Sequence, residues 1–136
     1  MFLELIQNKI VLSCFFGWFF VQLLKGILVC IKKGKFNFEY FFLMGHMPSS
    51  HSSFVSALSA GVFLEQGVSA LFVVSAVFSL VIMRDAFGAR RQIGENAKVI
   101  NKVAKSKLRD VTGHKLVEVI VGALLGVVIA VLVFSF

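Results

Sequence analysis

Two short segments carry residue types that can exchange protons or attack an electrophile, and both stand at the start of an apolar run. The first is Pro48-Ser49-Ser50-His51-Ser52. If it opens a helix, its free amides and the positive end of the helix dipole make an anion site. The hydroxyls of Ser49, Ser50 and Ser52 add donors, and His51 in the first turn is placed to exchange a proton with a bound anion. The bland alternative is a serine-rich N-cap with an interfacial histidine. The second segment is Gly113-His114-Lys115-Leu116-Val117-Glu118. At i and i+4, His114 and Glu118 share one helical face and can hydrogen-bond. A carboxylate on one ring nitrogen fixes the tautomer and makes the other nitrogen a better nucleophile. Here the bland alternative is a snorkelling histidine beside a lone interfacial glutamate. Gly122 and Gly126 continue that face and invite close helix packing.

Cations form the third component. Phosphoryl transfer spreads negative charge over non-bridging oxygens, which fixed Arg and Lys side chains stabilise. Lys25 lies inside an apolar run. Arg84, Asp85, Arg90 and Arg91 follow another, with Asp85 able to orient Arg90 or Arg91. Lys32, Lys33 and Lys35 read more simply as topology signals and lipid-headgroup contacts.

The elements that must position these residues are membrane helices. The chain is 58% hydrophobic with 16 Phe and one Pro, and its mean hydropathy is +0.91, more apolar than an ordinary soluble domain. About 20 residues span a bilayer. Spans are expected at about 10–31, 48–64, 68–83 and 116–136, giving an all-α integral membrane fold of about four transmembrane helices in one domain, 1–136. Pro48 suits the first turn of the second span, and Glu65-Gln66-Gly67 makes the turn that follows it. The second and third spans are short, which favours membrane thinning or burial against neighbours. Phe36–Met47 is too brief to cross and reads as interfacial or re-entrant. Residues 84–113 read as a polar, basic, partly helical cytosolic hairpin or surface helix. The first run lacks a small-x-small cleavage site, so a retained helix is expected rather than a signal peptide.

A net charge of +7 in so apolar a chain points to the bilayer and its anionic lipids, not to nucleic acid. Thirteen of the 14 Lys and Arg residues fall at or beyond the end of the first span, the start of the second, the end of the third and the start of the fourth. By the positive-inside rule those ends face the cytoplasm and both termini lie outside. The candidate residues therefore converge on one leaflet, where ionisable groups at membrane depth are costly and usually functional. Cys14 and Cys30 have neither metal-ligand nor disulfide-framework spacing and read as small apolar side chains.

Taken in order, these segments resemble the type 2 phosphatidic acid phosphatase superfamily, which is related to vanadium haloperoxidases. That superfamily shows Lys, six residues, Arg-Pro; then Pro-Ser-Gly-His; then Ser-Arg, five residues, His, three residues, Asp. Here the first motif is degenerate, Lys25 being followed by Lys32 with no Arg-Pro; the second is Pro48-Ser49-Ser50-His51, and the third is partial, His114 and Glu118. The resemblance is greater to a divergent branch of small bacterial and plant membrane proteins with Gly-Met-Pro-Ser-Ser-His-Ser, Asp-Ala-x-Gly-x-Arg-Arg and Gly-His-x-x-x-Glu-Val followed by Gly-x-x-x-Gly. This chain reads Met47 to Ser52, Asp85-Ala86-Phe87-Gly88-Ala89-Arg90-Arg91 and Gly113-His114 through Glu118-Val119, so the resemblance covers nearly its whole length. It departs at His46, where Gly is usual, and at Arg84, where Tyr is common.

The resemblance implies a metal-independent lipid phosphatase, with no cofactor, cleaving a lipid phosphomonoester or pyrophosphate of phosphatidate, phosphatidylglycerophosphate or isoprenyl-phosphate type. His114 would attack phosphorus, Glu118 would orient it, and His51 would protonate the leaving oxygen. Lys25, Arg90 and the amides near Ser50 would hold the phosphate. The family's usual Arg before the nucleophilic His has no exact counterpart: four residues separate Arg109 from His114 rather than five, and Arg90 is preferred. The expected setting is a bacterial inner or plasma membrane with the site facing the cytoplasm. Two rival readings stay open: a non-catalytic lipid-headgroup-binding scaffold and a small transporter. The sequence also leaves open which lipid is bound and whether the chain forms a homo-oligomer.

Overall fold

The structure is a computed structural model that describes residues 2–42, 47–108 and 113–136. Its helices are α1 (Phe2–Gln7), α2 (Lys9–Lys33), α3 (Ser50–Gln66), α4 (Ala70–Phe87), α5 (Ala89–Ala104) and α6 (Leu116–Ser135), with a 3₁₀ turn at Phe38–Phe42. No strand occurs among the described residues. Among the described residues three helices are long and apolar enough to cross a membrane, α2, α6 and the one that begins at Ala70. The fourth member of the bundle, α3, has 17 residues and packs against α2, α4 and α6, with α2 also against α6.

Local chemistry sets the helix ends. The Asn8 side chain accepts from the amides of Ile10 and Val11 and starts α2. At its other end Gly34 takes a left-handed φ of 62°, which favours glycine. Pro48 does not open α3 as the sequence suggested. Ser49 is the N-cap, its Oγ accepting from the Ser52 amide at 3.4 Å, and the helix begins at Ser50. Glu65 and Gln66 lie inside α3, and the turn falls at Gly67, φ 64°. Beyond it, Ser69 caps α4 through the Phe72 amide at 3.1 Å. That helix runs past the expected end at residue 83 through Arg84 and Asp85, and the helical backbone breaks only at Gly88 (φ −98°, ψ −97°). In the Phe36–Met47 stretch, the 3₁₀ turn packs on α2 with the Phe41 ring against Gly26.

Packing is inverted relative to a soluble domain. The interior is small or β-branched, with Val21, Val55, Ala57, Val62, Val119 and Ala130 all buried. The large side chains, among them Phe15, Phe20, Leu80 and Leu124, face outward, as expected where lipid is the solvent. Small residues bring backbones together. A Cβ on Gly126 would lie 2.2 Å from the Ser53 carbonyl oxygen, and one on Gly122 would lie 2.3 Å from that of Ser49. Serines add interhelical hydrogen bonds: Ser53 Oγ donates to the Gly17 carbonyl at 2.8 Å, and Ser79 Oγ to the Val55 carbonyl at 2.8 Å.

Candidate functional site

The first turn of α3 is the centre of the candidate site. Ser49, Ser50 and Ser52 are buried, while His51 on the same turn is exposed. Ser52 Oγ donates to Ser49 Oγ at 2.9 Å, so that pair stabilises the cap. Ser50 Oγ instead faces α2, where it accepts from Lys25 Nζ at 3.3 Å.

Lys25 is 2% exposed, at a depth where a cation has few solvating partners. Its other acceptor among the described residues is Gln22 Oε1, at 3.4 Å. Gln22 is held in turn, its Nε2 donating to the Phe41 carbonyl. The sequence reading passed over Gln22, although its position three residues before Lys25 puts both on one helical face. Glu118 acts on Lys25 electrostatically, and His51 feels the positive charges of both Lys25 and Arg90.

Arg90 stands in the first turn of α5, where its Nε donates to Asp85 Oδ2 across the α4–α5 junction. Arg91 makes a different pair, with Glu95 at 3.0 Å. Arg84 stacks over Phe87 at 5.2 Å and Lys33 over Tyr40 at 4.5 Å, so each has an aromatic partner. Lys32 is exposed in the last turn of α2, and Lys35 is exposed beyond its end.

His114 is buried, at 8% exposure. It does not share a helical face with Glu118, because α6 begins at Leu116 with Lys115 as its N-cap. The Glu118 carboxylate reaches back to accept from the Lys115 amide at 3.0 Å, closing the first turn of α6. His114 is fixed through its backbone: its amide donates to the Ala86 carbonyl at 3.0 Å. Gly113 before it packs so tightly that a Cβ would lie 2.5 Å from the Arg91 amide nitrogen and 2.6 Å from the Ala86 carbonyl oxygen. The Asp85–Arg91 and Gly113–His114 motifs, far apart in sequence, are thus in backbone contact. The start of α6 is also tied to the start of α3, the Ser49 amide donating to the Glu118 carbonyl at 3.1 Å. His46 and Arg109 lie outside the described residues.

The arrangement places a buried ammonium, an exposed guanidinium held by a carboxylate, a serine-rich helix start and an exposed imidazole at one end of the bundle, with a second imidazole on the adjoining α6 lead-in. Such a set can bind a tetrahedral anion and move a proton to or from it. No cluster of metal-ligating side chains occurs among the described residues.

Comparison with known proteins gives matches at the level of family. The family described as "Divergent PAP2 family" matches residues 6–129. An uncharacterized membrane protein, YuiD, from Bacillus subtilis (strain 168) is 36% identical over 156 aligned positions that cover 98% of this chain and 99% of the relative. No solved structure matches the chain.

Proposed function

This chain belongs to the divergent PAP2 family, and we propose that it is a membrane lipid phosphatase that cleaves a lipid phosphomonoester or pyrophosphate through a phosphohistidine. The observation that carries this reading is Lys25, buried in an apolar helix and hydrogen-bonded to Ser50 in the α3 first turn. A cation held there is costly to the fold, and a phosphate placed at the α3 start would balance it.

In this reading the phosphoryl group sits over the α3 N-terminus. Lys25, Arg90 and the Ser50 amide neutralise the non-bridging oxygens as charge redistributes. An unprotonated nitrogen of His114 attacks phosphorus and forms a P–N bond as the P–O bond to the lipid breaks. His51 gives its proton to the departing oxygen, then takes one from the water that hydrolyses the phosphohistidine. Asp85 positions Arg90, and the charge of Glu118 acts on Lys25. The site opens to the cytoplasmic leaflet, where 13 of the 14 Lys and Arg residues gather.

Purified protein in lipid nanodiscs, supplied with phosphatidate, phosphatidylglycerophosphate and isoprenyl phosphates, tests the proposal by phosphate release. Wild type is expected to release phosphate from at least one of them. His114→Ala is expected to abolish release and His51→Ala to reduce it at least a hundredfold, and acid-labile label from a radioactive phosphoryl group should be trapped on wild type but not on His114→Ala. Saturable binding of these lipids with no release by wild type would refute hydrolysis and leave a headgroup-binding scaffold.

A further inference from the structure

Helix α5 has a face that the rest of the molecule leaves uncovered. Its small residues Gly94 and Ala97 are buried, whereas Ile93, Val99, Ile100 and Val103 are 66%, 61%, 46% and 79% exposed. At about 100° per residue, these four share one side of the helix, where the exposed Gln92 and Asn96, hydrogen-bonded to each other at 2.9 Å, interrupt the apolar surface. Lys98, Lys102 and Arg91 lie on the opposite side, and Lys105 and Lys107 follow its end. The other long helices show no such segregation, being apolar nearly all round as membrane-spanning helices are. An exposed β-branched stripe beside a row of cations is the pattern of a helix lying in a membrane interface.

We propose that α5 lies along the leaflet into which the candidate site opens, with Ile93, Val99, Ile100 and Val103 in the acyl boundary and its lysines among anionic headgroups. Two observations favour a lipid surface over a protein partner. First, α5 follows α4 directly, after the backbone break at Gly88, so it starts where a membrane-crossing helix leaves the bilayer. A Cβ at Gly88 would lie 2.7 Å from the Arg84 carbonyl oxygen, so glycine is needed for that close turn. Second, the charge complements anionic lipid: α5 and the residues just after it carry Arg90, Arg91, Lys98, Lys102, Lys105 and Lys107 against one carboxylate, Glu95. Because Arg90 sits in the first turn of α5, docking of this helix also fixes the height of Arg90 above the α3 turn. Anionic lipid is thereby a partner of the chain whether or not it is hydrolysed.

Cysteines introduced one at a time test this in full-length protein whose native cysteines are replaced, Cys14→Ala and Cys30→Ala. The positions are Ile93→Cys, Ile100→Cys and Val103→Cys on one side and Lys98→Cys and Lys102→Cys on the other, each carrying an environment-sensitive fluorophore. In vesicles of phosphatidylcholine and phosphatidylglycerol, emission at 93, 100 and 103 should rise severalfold and shift to the blue, with quenching by lipid-borne but not aqueous quenchers. Positions 98 and 102 should behave oppositely. Removing phosphatidylglycerol or raising salt should weaken the difference. Having three apolar positions keeps the test open should one variant fail to fold. Equal water access at all five positions would overturn the proposal. So would protection that disappears as protein is diluted into lipid, which would mean a second copy covers the stripe, or protection indifferent to phosphatidylglycerol and salt.

Discussion

Replacing Lys25 by methionine separates what the proposed phosphate-binding cation does for function from what it does to the fold. Lys25 Nζ donates to two neutral oxygens, at 3.3 Å and 3.4 Å, both longer than a well-formed N–H···O bond. Among the described residues no carboxylate lies within ion-pair distance of it. The ammonium is therefore poorly repaid for its dehydration, and replacing such a charge with an apolar side chain of similar length is often stabilising by about 1–4 kcal/mol. Against this stand two hydrogen bonds from the ammonium, whose length keeps each below the about 1.5–3 kcal/mol of a well-formed charge-assisted bond. Lys25→Met is expected to unfold in detergent at the same temperature as wild type or higher. Its anion affinity should move the other way. A charge-assisted hydrogen bond contributes about 1.5–3 kcal/mol, so orthovanadate, a phosphate mimic, should bind roughly 10- to 100-fold more weakly. At vanadate 100 times the wild-type Kd, ligand stabilisation is about 2.7 kcal/mol; a roughly 30-fold weaker Kd lowers it to about 0.9 kcal/mol. Thermal unfolding with and without vanadate reads both quantities. A lower unfolding temperature together with an undiminished vanadate shift would make Lys25 a structural strut and refute the reasoning.

Three further predictions concern its neighbours. Gly126→Ala puts a Cβ 2.2 Å from a backbone oxygen, so it should cost about 1–3 kcal/mol in unfolding measurements, whereas Val128→Ala on the lipid-facing side should stay within about 0.5 kcal/mol. Asp85→Asn frees Arg90 from a half-exposed pair, so stability should change by less than about 1 kcal/mol while turnover falls severalfold; Glu95→Gln, which acts on Arg91, should leave turnover unchanged. Glu118→Gln can still cap α6, so it should unfold like wild type yet lose turnover severalfold, because the charge acting on Lys25 is gone, whereas Glu118→Ala should also lose about 1 kcal/mol of stability.

The membrane character and all-α class were legible because span length and composition follow directly from bilayer thickness. Helix ends were less so. Proline at 48 is compatible with a helical first turn, but the Ser49 hydroxyl competes for the cap by reaching the Ser52 amide, and the helix starts after it. Arg84 and Asp85 look like the end of an apolar run, yet charged residues continue a helix as readily as they end one once it leaves the bilayer, and α4 stops only at Gly88. The residue types of the candidate site were readable from three short motifs. Their relations were not, because these depend on tertiary contacts: the tie from His114 to Ala86, the Ser49–Glu118 backbone bond and the support of Lys25 by Gln22. The His114–Glu118 spacing suggested a shared face only on the assumption that the helix began before His114. The carboxylate that would have faced the imidazole instead closes the turn that starts the helix.

Those ties also fix the geometry of the candidate site. The Ser49 amide bonds to α6, the carbonyls of Ser49 and Ser53 rest on Gly122 and Gly126, and the Ser53 hydroxyl bonds to Gly17 of α2. The turn that carries His51 is therefore fixed on two sides by backbone contacts, which tolerate little displacement because no flexible side chain lies between. Lys25 joins the same buried frame through Ser50. Arg90 belongs to a different mechanical layer: it is exposed, held by the half-exposed Asp85 carboxylate, and carried by a helix whose apolar residues are largely exposed. The frame can set where an anion binds, while the leaflet surface, acting through α5, sets how closely Arg90 approaches it. A water-soluble phosphate ester and a lipid phosphate would then meet the same Lys25 but not the same Arg90, and the difference between them would depend on the lipid around the protein.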